Sequence, residues 1–216
     1  MHPTARQPQK PRYRGRLHAA AFLVSIPAGI ALVVSGHTAV AWVGAAVFAL
    51  SLSAVYGTSA AYHLRSWSPR AERIMKHLDH SMIFVLIAGS YTPIALLALR
   101  PTWGVAMVSV AWAGAVIGIF LTVTRLDRLH RTGMVLYLVL GWLPIVAARE
   151  LARGLSVTEL ALLVAGGVVY TAGAIMLAAG WPRLRPATFG YHEVWHAMVV
   201  GGGACHYTLI LLLVRA

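Results

Sequence analysis

Charge is what this sequence has least of. Only 11% of its 216 residues are Asp, Glu, Lys or Arg, and just six of those are acidic. A water-soluble domain carries about 25% charged residues, so a soluble globular fold is excluded. Cysteine is nearly absent too. Cys205 stands alone in an apolar run, which rules out an intrachain disulfide. Beyond residue 16 no polar stretch is long enough for a separate soluble domain, and no internal repeat is visible. What fills the chain is apolar: 59% of residues, with a mean hydropathy of +0.72. The sequence predicts an all-α integral membrane protein.

Residues 1–16 form the exception. Pro3, Pro8 and Pro11 alternate with Arg6, Lys10, Arg12, Arg14 and Arg16, a composition that predicts a disordered basic tail. The apolar run that follows, 17–36, is long for a signal-peptide core and reads as a first span, despite Pro27 and Gly29. Further runs at 38–64, 78–99, 103–124, 132–149, 157–180 and 192–214 bring the spans to seven. The run at 132–149 is short and interrupted by Pro144. Gly166, Gly173 and Gly180, and the Gly114-x-x-x-Gly118 pair, place small residues on helix faces, where helices pack closely.

The net charge of +12 suggests nucleic acid only until its distribution is read. Of the 18 Lys and Arg, 14 fall in the tail and in the 65–77, 125–131 and 181–191 connections, and 4 on the opposite side. The positive-inside rule then places the N-terminus in the cytoplasm and, after seven spans, the C-terminus outside. No nucleic-acid partner is implied.

That alternation brings three polar groups to one depth. The second span ends in Ser59-Ala60-Ala61-Tyr62-His63, the third begins with Lys76-His77-Leu78-Asp79-His80-Ser81, and the seventh begins with Tyr191-His192-Glu193-Val194-Trp195-His196. Residues four apart share a helix face, so Ser59 lies over His63 and His192 over His196. Ionisable side chains inside a membrane are costly and point to function. His63, His192 and His196 can supply three nitrogen ligands and leave a fourth tetrahedral position to water, the arrangement of catalytic zinc. Asp79 and Ser59 would then hold that water. The alternative is that His63 and Asp79 are interfacial residues capping helix ends. H-E-x-x-H also spells a metalloprotease motif in which Glu193 is the base. On a helix, however, Glu193 points about 100° from the His192–His196 face, toward the interface. His77 and His80 flank Asp79 without both facing inward, and a core hydrogen bond is expected for His206. Glu72, Asp127, Glu150 and Glu159 read as solvated carboxylates near span ends, and Trp103, Trp142, Trp181 and Trp195 as boundary anchors.

The S-x-x-x-H of Ser59 to His63, K-H-L-D-H-S-M-I followed by A-G-S-Y-T-P, and H-E-V-W-H with a later C-H-Y together resemble the hemolysin III family. That family is grouped with the progestin and adipoQ receptors and, more distantly, the alkaline ceramidases. The likeness covers all seven spans. It implies a seven-helix bundle in the bacterial plasma membrane, with Zn2+ held near the cytoplasmic side by His63, His192 and His196, and with Ser59 and Asp79 beside the zinc water. It also implies a role in membrane homeostasis. From the ceramidase branch comes the expectation of a zinc-dependent hydrolase acting on a lipid amide, with membrane lipids or a fatty acid as ligands. The animal receptors carry an additional soluble N-terminal region without counterpart here, so hormone binding is not implied. A membrane-state sensor with structural zinc and an intramembrane metalloprotease are the competing readings. A cytolytic pore would need a charged ring or a polar span, and none is apparent. Gly201-Gly202-Gly203 is expected to widen a cavity in the seventh span.

Reporter fusions after residues 36, 128 and 216 test the orientation. They are expected to read outside, inside and outside. A cytoplasmic signal at residue 216 would overturn it.

Overall fold

A chain that crosses hydrocarbon must satisfy every backbone N–H and C=O within itself, and the helix does this one segment at a time. In the computed structural model, residues 11–125, 130–185 and 187–216 are described, and they form eight α-helices. These are α1 (Arg16–Val34), α2 (Ala39–Leu64), α3 (Pro69–Ala98), α4 (Pro101–Arg125), α5 (His130–Gly141), α6 (Ala148–Gly154), α7 (Val157–Ala179) and α8 (Tyr191–Arg215). A 3₁₀ turn, Leu143–Ala147, joins α5 to α6. Seven segments are long and apolar enough to cross a membrane, the fifth being Val135–Gly154. The bundle is therefore an all-α, seven-span membrane protein.

Helix starts follow local chemistry. Thr38 caps α2 by accepting the Ala41 N–H at 3.2 Å, and Ser156 and Glu159 form a reciprocal capping box on α7. Ser68 caps α3, with Pro69 at the first helical position. This start lies nine residues before the expected 78, so Arg70, Arg73 and Lys76 ride on helix rather than loop. The fifth span differs most from expectation. Pro144 has no N–H to donate, and the span breaks around it into α5, the 3₁₀ turn and α6, ending at Gly154 rather than 149.

Small residues set the helix seams. A methyl group on Gly114 would lie 2.7 Å from Leu140 Cδ1, and one on Gly118 would collide with the Phe84 ring. Gly173 receives Met198 and Trp195, and Gly166 receives the His206 ring. Gly180 plays another part. It ends α7 with φ +62°, the left-handed cap that glycine adopts without strain. The Gly201–Gly203 run is not open space either, since Tyr170 packs on Gly202 and the Tyr56 hydroxyl on Gly203. Phe48, Phe84, Leu32, Leu209 and Ile210 fill the core, while Leu23, Val24, Val34, Phe120 and Val146 face outward.

α8 is the hub, packed on α7 and touching α1, α2 and α3. α5 meets α7 only sparsely. Between α3, α5, α6, α7 and α8 lies a cavity of about 410 Å³, lined by residues such as Ile87, Tyr137, Trp142, Leu163 and Trp195. Trp142 and Trp195, expected near the span boundaries, both form part of the cavity wall. Far from the start of α1, at the other end of the bundle, buried Glu150 accepts from Arg100 at 2.7 and 2.8 Å and from Arg153 at 3.2 Å. It is an ion-pair centre where a solvated carboxylate was expected. Asp127 lies outside the described residues.

Overpacking a seam costs roughly 1–3 kcal/mol. Gly118→Ala should lower the thermal unfolding temperature of the detergent-solubilised protein. Gly167→Ala should not, because nothing lies within 4 Å of a methyl group there.

Candidate metal centre

α1, α3 and α8 begin at the face of the bundle where α2 ends. There the three histidines meet. His63 Nε2 and His192 Nε2 are 3.2 Å apart, and one ligand atom from each of His63, His192 and His196 lies within 4.8 Å of the others. His196 is buried and the other two are half-buried. Helix periodicity puts His196 one turn below His192, while α2 brings His63 across from the side.

Asp79 stands next to them. Its Oδ2 is 3.9 Å from His63 Nε2 and 4.0 Å from His80 Nδ1, beyond direct hydrogen-bond range but suited to an intervening water. The Ser59 hydroxyl, one turn before His63 and buried, is a neighbour of the Asp79 carboxylate. The capping alternative for Asp79 does not hold. Ser68 caps α3, and Asp79 lies ten residues inside the helix.

The donor set fits zinc. Tetrahedral Zn–N bonds of 2.0–2.1 Å put neighbouring nitrogens about 3.3 Å apart. The His63–His192 pair already has that spacing, and a small closure by His196 completes the triangle. Three imidazoles also suit zinc better than the oxygen-seeking cations. Bound there, three nitrogens would leave one tetrahedral position facing Asp79 and Ser59.

Glu193 is placed otherwise than expected. It does diverge from the imidazoles, but it is 1% exposed rather than interfacial. Arg14 Nε donates to its Oε1, and the Gly190 N–H to its Oε2 at 2.7 Å. Both oxygens are therefore occupied. The described part of the basic tail is correspondingly ordered. Arg12 and Tyr13 N–H donate to the Ala187 and Thr188 carbonyls at 3.1 and 3.2 Å.

The other histidines divide. His77 Nδ1 bonds the Thr122 carbonyl at 3.0 Å, and His80 Nδ1 the Lys76 carbonyl at 2.8 Å. His206 sits in the wall of the cavity, 5.4 Å from Tyr170 between ring centroids. Its imidazole approaches the Leu163 backbone without reaching full hydrogen-bond geometry. The residue that sequence reasoning missed is His18. On the first turn of α1 and 2% exposed, it stacks on His196 with centroids 4.0 Å apart and planes 12° from parallel. A usable signal was present, for His18 is an imidazole at the start of an apolar run, on the face where His192 also begins.

His63→Ala, His192→Ala and His196→Ala should each lower zinc content of the purified protein. The loss should exceed the roughly 10–100-fold affinity change of an outer partner. His77→Ala and His206→Ala should retain the metal. Unchanged zinc in His63→Ala would refute the meeting of α2 and α8 at an ion.

Comparison with known proteins agrees with this architecture. The family described as Haemolysin-III related matches residues 6–207. The chain is 36% identical to Hemolysin-3 of Bacillus cereus over 200 residues, covering 91% of this chain and 88% of that protein. With the Hemolysin-3 homolog of Bacillus subtilis (strain 168) it shares 32% over 197 residues, 90% of this chain and 89% of the other. A more distant likeness, 25% over 174 residues, links 76% of the chain to 67% of the human Monocyte to macrophage differentiation factor. With seven spans and a match over nearly its whole length, the chain belongs to the haemolysin-III related family of multi-pass cell-membrane proteins.

Proposed function

We propose that the protein is a zinc-dependent hydrolase of a lipid amide that acts in membrane homeostasis. The observation that carries this reading is the triangle of His63, His192 and His196 with the Asp79–Ser59 pair at its side. A bound zinc ion would lower the pKa of a water toward ~7 and polarise a carbonyl. The chain's own groups would do the rest. Asp79 accepts the proton of the attacking water at Oδ2 and returns it to the leaving nitrogen, and Ser59 holds the carboxylate in place from the next helix. The amide C–N bond breaks as the new C–O bond forms, and the products are a carboxylate and an amine.

The distribution of Lys and Arg supports a cytoplasmic location for this face. A site one or two turns inside the bundle suits a bond just below a lipid headgroup. The cavity of about 410 Å³ falls within the ~300–1,000 Å³ of small-molecule sites, and its aliphatic and aromatic walls suit an acyl chain entering where α5 and α7 meet sparsely.

One observation favours a second reading, a membrane-state sensor with structural metal. The 11–16 segment and the 187–190 connection are hydrogen-bonded to one another and, through Arg14 and Gly190, to Glu193 at the start of α8, beside the cluster.

Purified protein incubated with ceramides and other acyl amides separates the two. Asp79→Asn should keep its zinc yet lose roughly 10²–10⁴-fold in turnover, the usual contribution of a positioned general base. Glu193→Gln, whose oxygens already have partners, should keep most of the activity. The opposite pattern, with Glu193→Gln dead and Asp79→Asn active, would replace this reading with the metalloprotease. Absence of turnover in zinc-loaded protein on every amide tried would favour the sensor.

A further inference from the structure

Within five residues the segment leading into α1 meets two of the three ligand positions and the chain neighbour of the third. Arg14 pairs with Glu193, the neighbour of His192. Gly15 passes so close to α2 that a methyl group there would lie 2.8 Å from His63 Cβ. Its φ of +80° is the left-handed conformation that turns the chain into α1 at that point. His18 then stacks on His196. Tyr56, 5.2 Å from His18 between centroids, backs the ring from α2.

The stack matters because of what His196 lacks. A histidine that binds a metal normally donates its other ring N–H to a carboxylate or carbonyl, which fixes the plane of the ring. The Nδ1 of His196 is buried and meets no hydrogen-bond partner. The flat face of His18 packs against that ring instead. His18 itself is not part of the ligand triangle, and a ring stacked parallel to a ligand does not aim its nitrogens at the same ion.

We propose that residues 14–18 are a positioning clamp for two of the three imidazoles, in which the His18 ring fixes the plane of His196 and Gly15 seats His63. This rests on the metal-site reading above. The clamp gives a role to the hydrogen bonds that Arg12 and Tyr13 make to the Ala187 and Thr188 carbonyls. It also predicts that the shape of the His18 ring, rather than its nitrogens, is what the site needs.

The test uses the full chain in detergent, stripped with chelator and titrated with Co2+. It follows both affinity and the visible ligand-field absorption of the bound ion. His18→Ala should weaken cobalt binding roughly 10–100-fold, as outer partners do, and alter the band. His18→Phe, which keeps a flat ring without nitrogens, should bind like the unaltered protein with the same band. Gly15→Ala should weaken binding in the same direction, since it changes no charge while its methyl meets His63 and Leu64 and strains the left-handed turn into α1. If His18→Ala and the unaltered protein bind alike, or if His18→Phe is as weak as His18→Ala, the clamp is refuted. Should His18→Ala fail to fold by chromatography and circular dichroism, Gly15→Ala decides, and unaltered binding there refutes the proposal. His63→Ala is run alongside. Cobalt uptake that survives in His63→Ala sinks the metal reading itself, whereas its loss there with His18→Ala unaffected sinks only the clamp.

Discussion

Burying an imidazole in hydrocarbon is costly, and the candidate site follows from how that cost is shared. A polar group buried without a partner costs several kcal/mol in a bilayer, so histidines gathered at one site are worth more than one left alone, as His206 is in the cavity wall. His63 and His192 are 129 positions apart in the chain yet 3.2 Å apart in space. Seven alternating spans bring the end of the second to the face where the seventh begins. A helical spacing of four then adds His196 below His192, and α3 brings Asp79 alongside. Every element of the site therefore sits on a rigid helix, which is how a constellation is held to the tolerance that metal chemistry requires.

Close helix approach is the second condition, and glycine supplies it. Without an aqueous driving force, helices in a membrane associate through packing, so small residues decide where backbones meet. Here the glycines do more than join helices. Gly166 and Gly202 make room for the rings of His206 and Tyr170, which cross between α7 and α8 in opposite directions. Large polar rings are thereby packed in the bundle, and both also form part of the wall of the open volume beside the broken fifth span.

What the sequence made legible were features that repeat within one helix or alternate between spans. Apolar runs of about 20 residues counted the helices, and spacing by four paired Ser59 with His63 and His192 with His196. The features that escaped are contacts between residues with no periodic relation. His18 gives no local sign that its partner is 178 positions away, and Glu150 reads as a surface carboxylate until α4 brings Arg100 to it. The tail illustrates the same limit. Among its described residues, the backbone hydrogen bonds of Arg12 and Tyr13 to Ala187 and Thr188 carry no signature in side-chain type. The run at 132–149 was ambiguous for a physical reason, because proline removes one backbone donor and the chain can answer with either a kink or a break.

The pentad His192–His196 shows how a motif and its geometry can part. In a metalloprotease the glutamate of H-E-x-x-H faces the ion and takes a proton from water. That requires a carboxylate with a free oxygen. Here Arg14 holds one oxygen of Glu193 and the Gly190 N–H the other, so the residue serves as a helix cap and an anchor for the incoming chain. The carboxylate left beside the imidazoles comes from a different helix, with Ser59 next to it and a gap of 3.9 Å to His63. The same five letters thus give two candidate ligands and an anchor, and the candidate base is supplied by tertiary structure rather than by the motif.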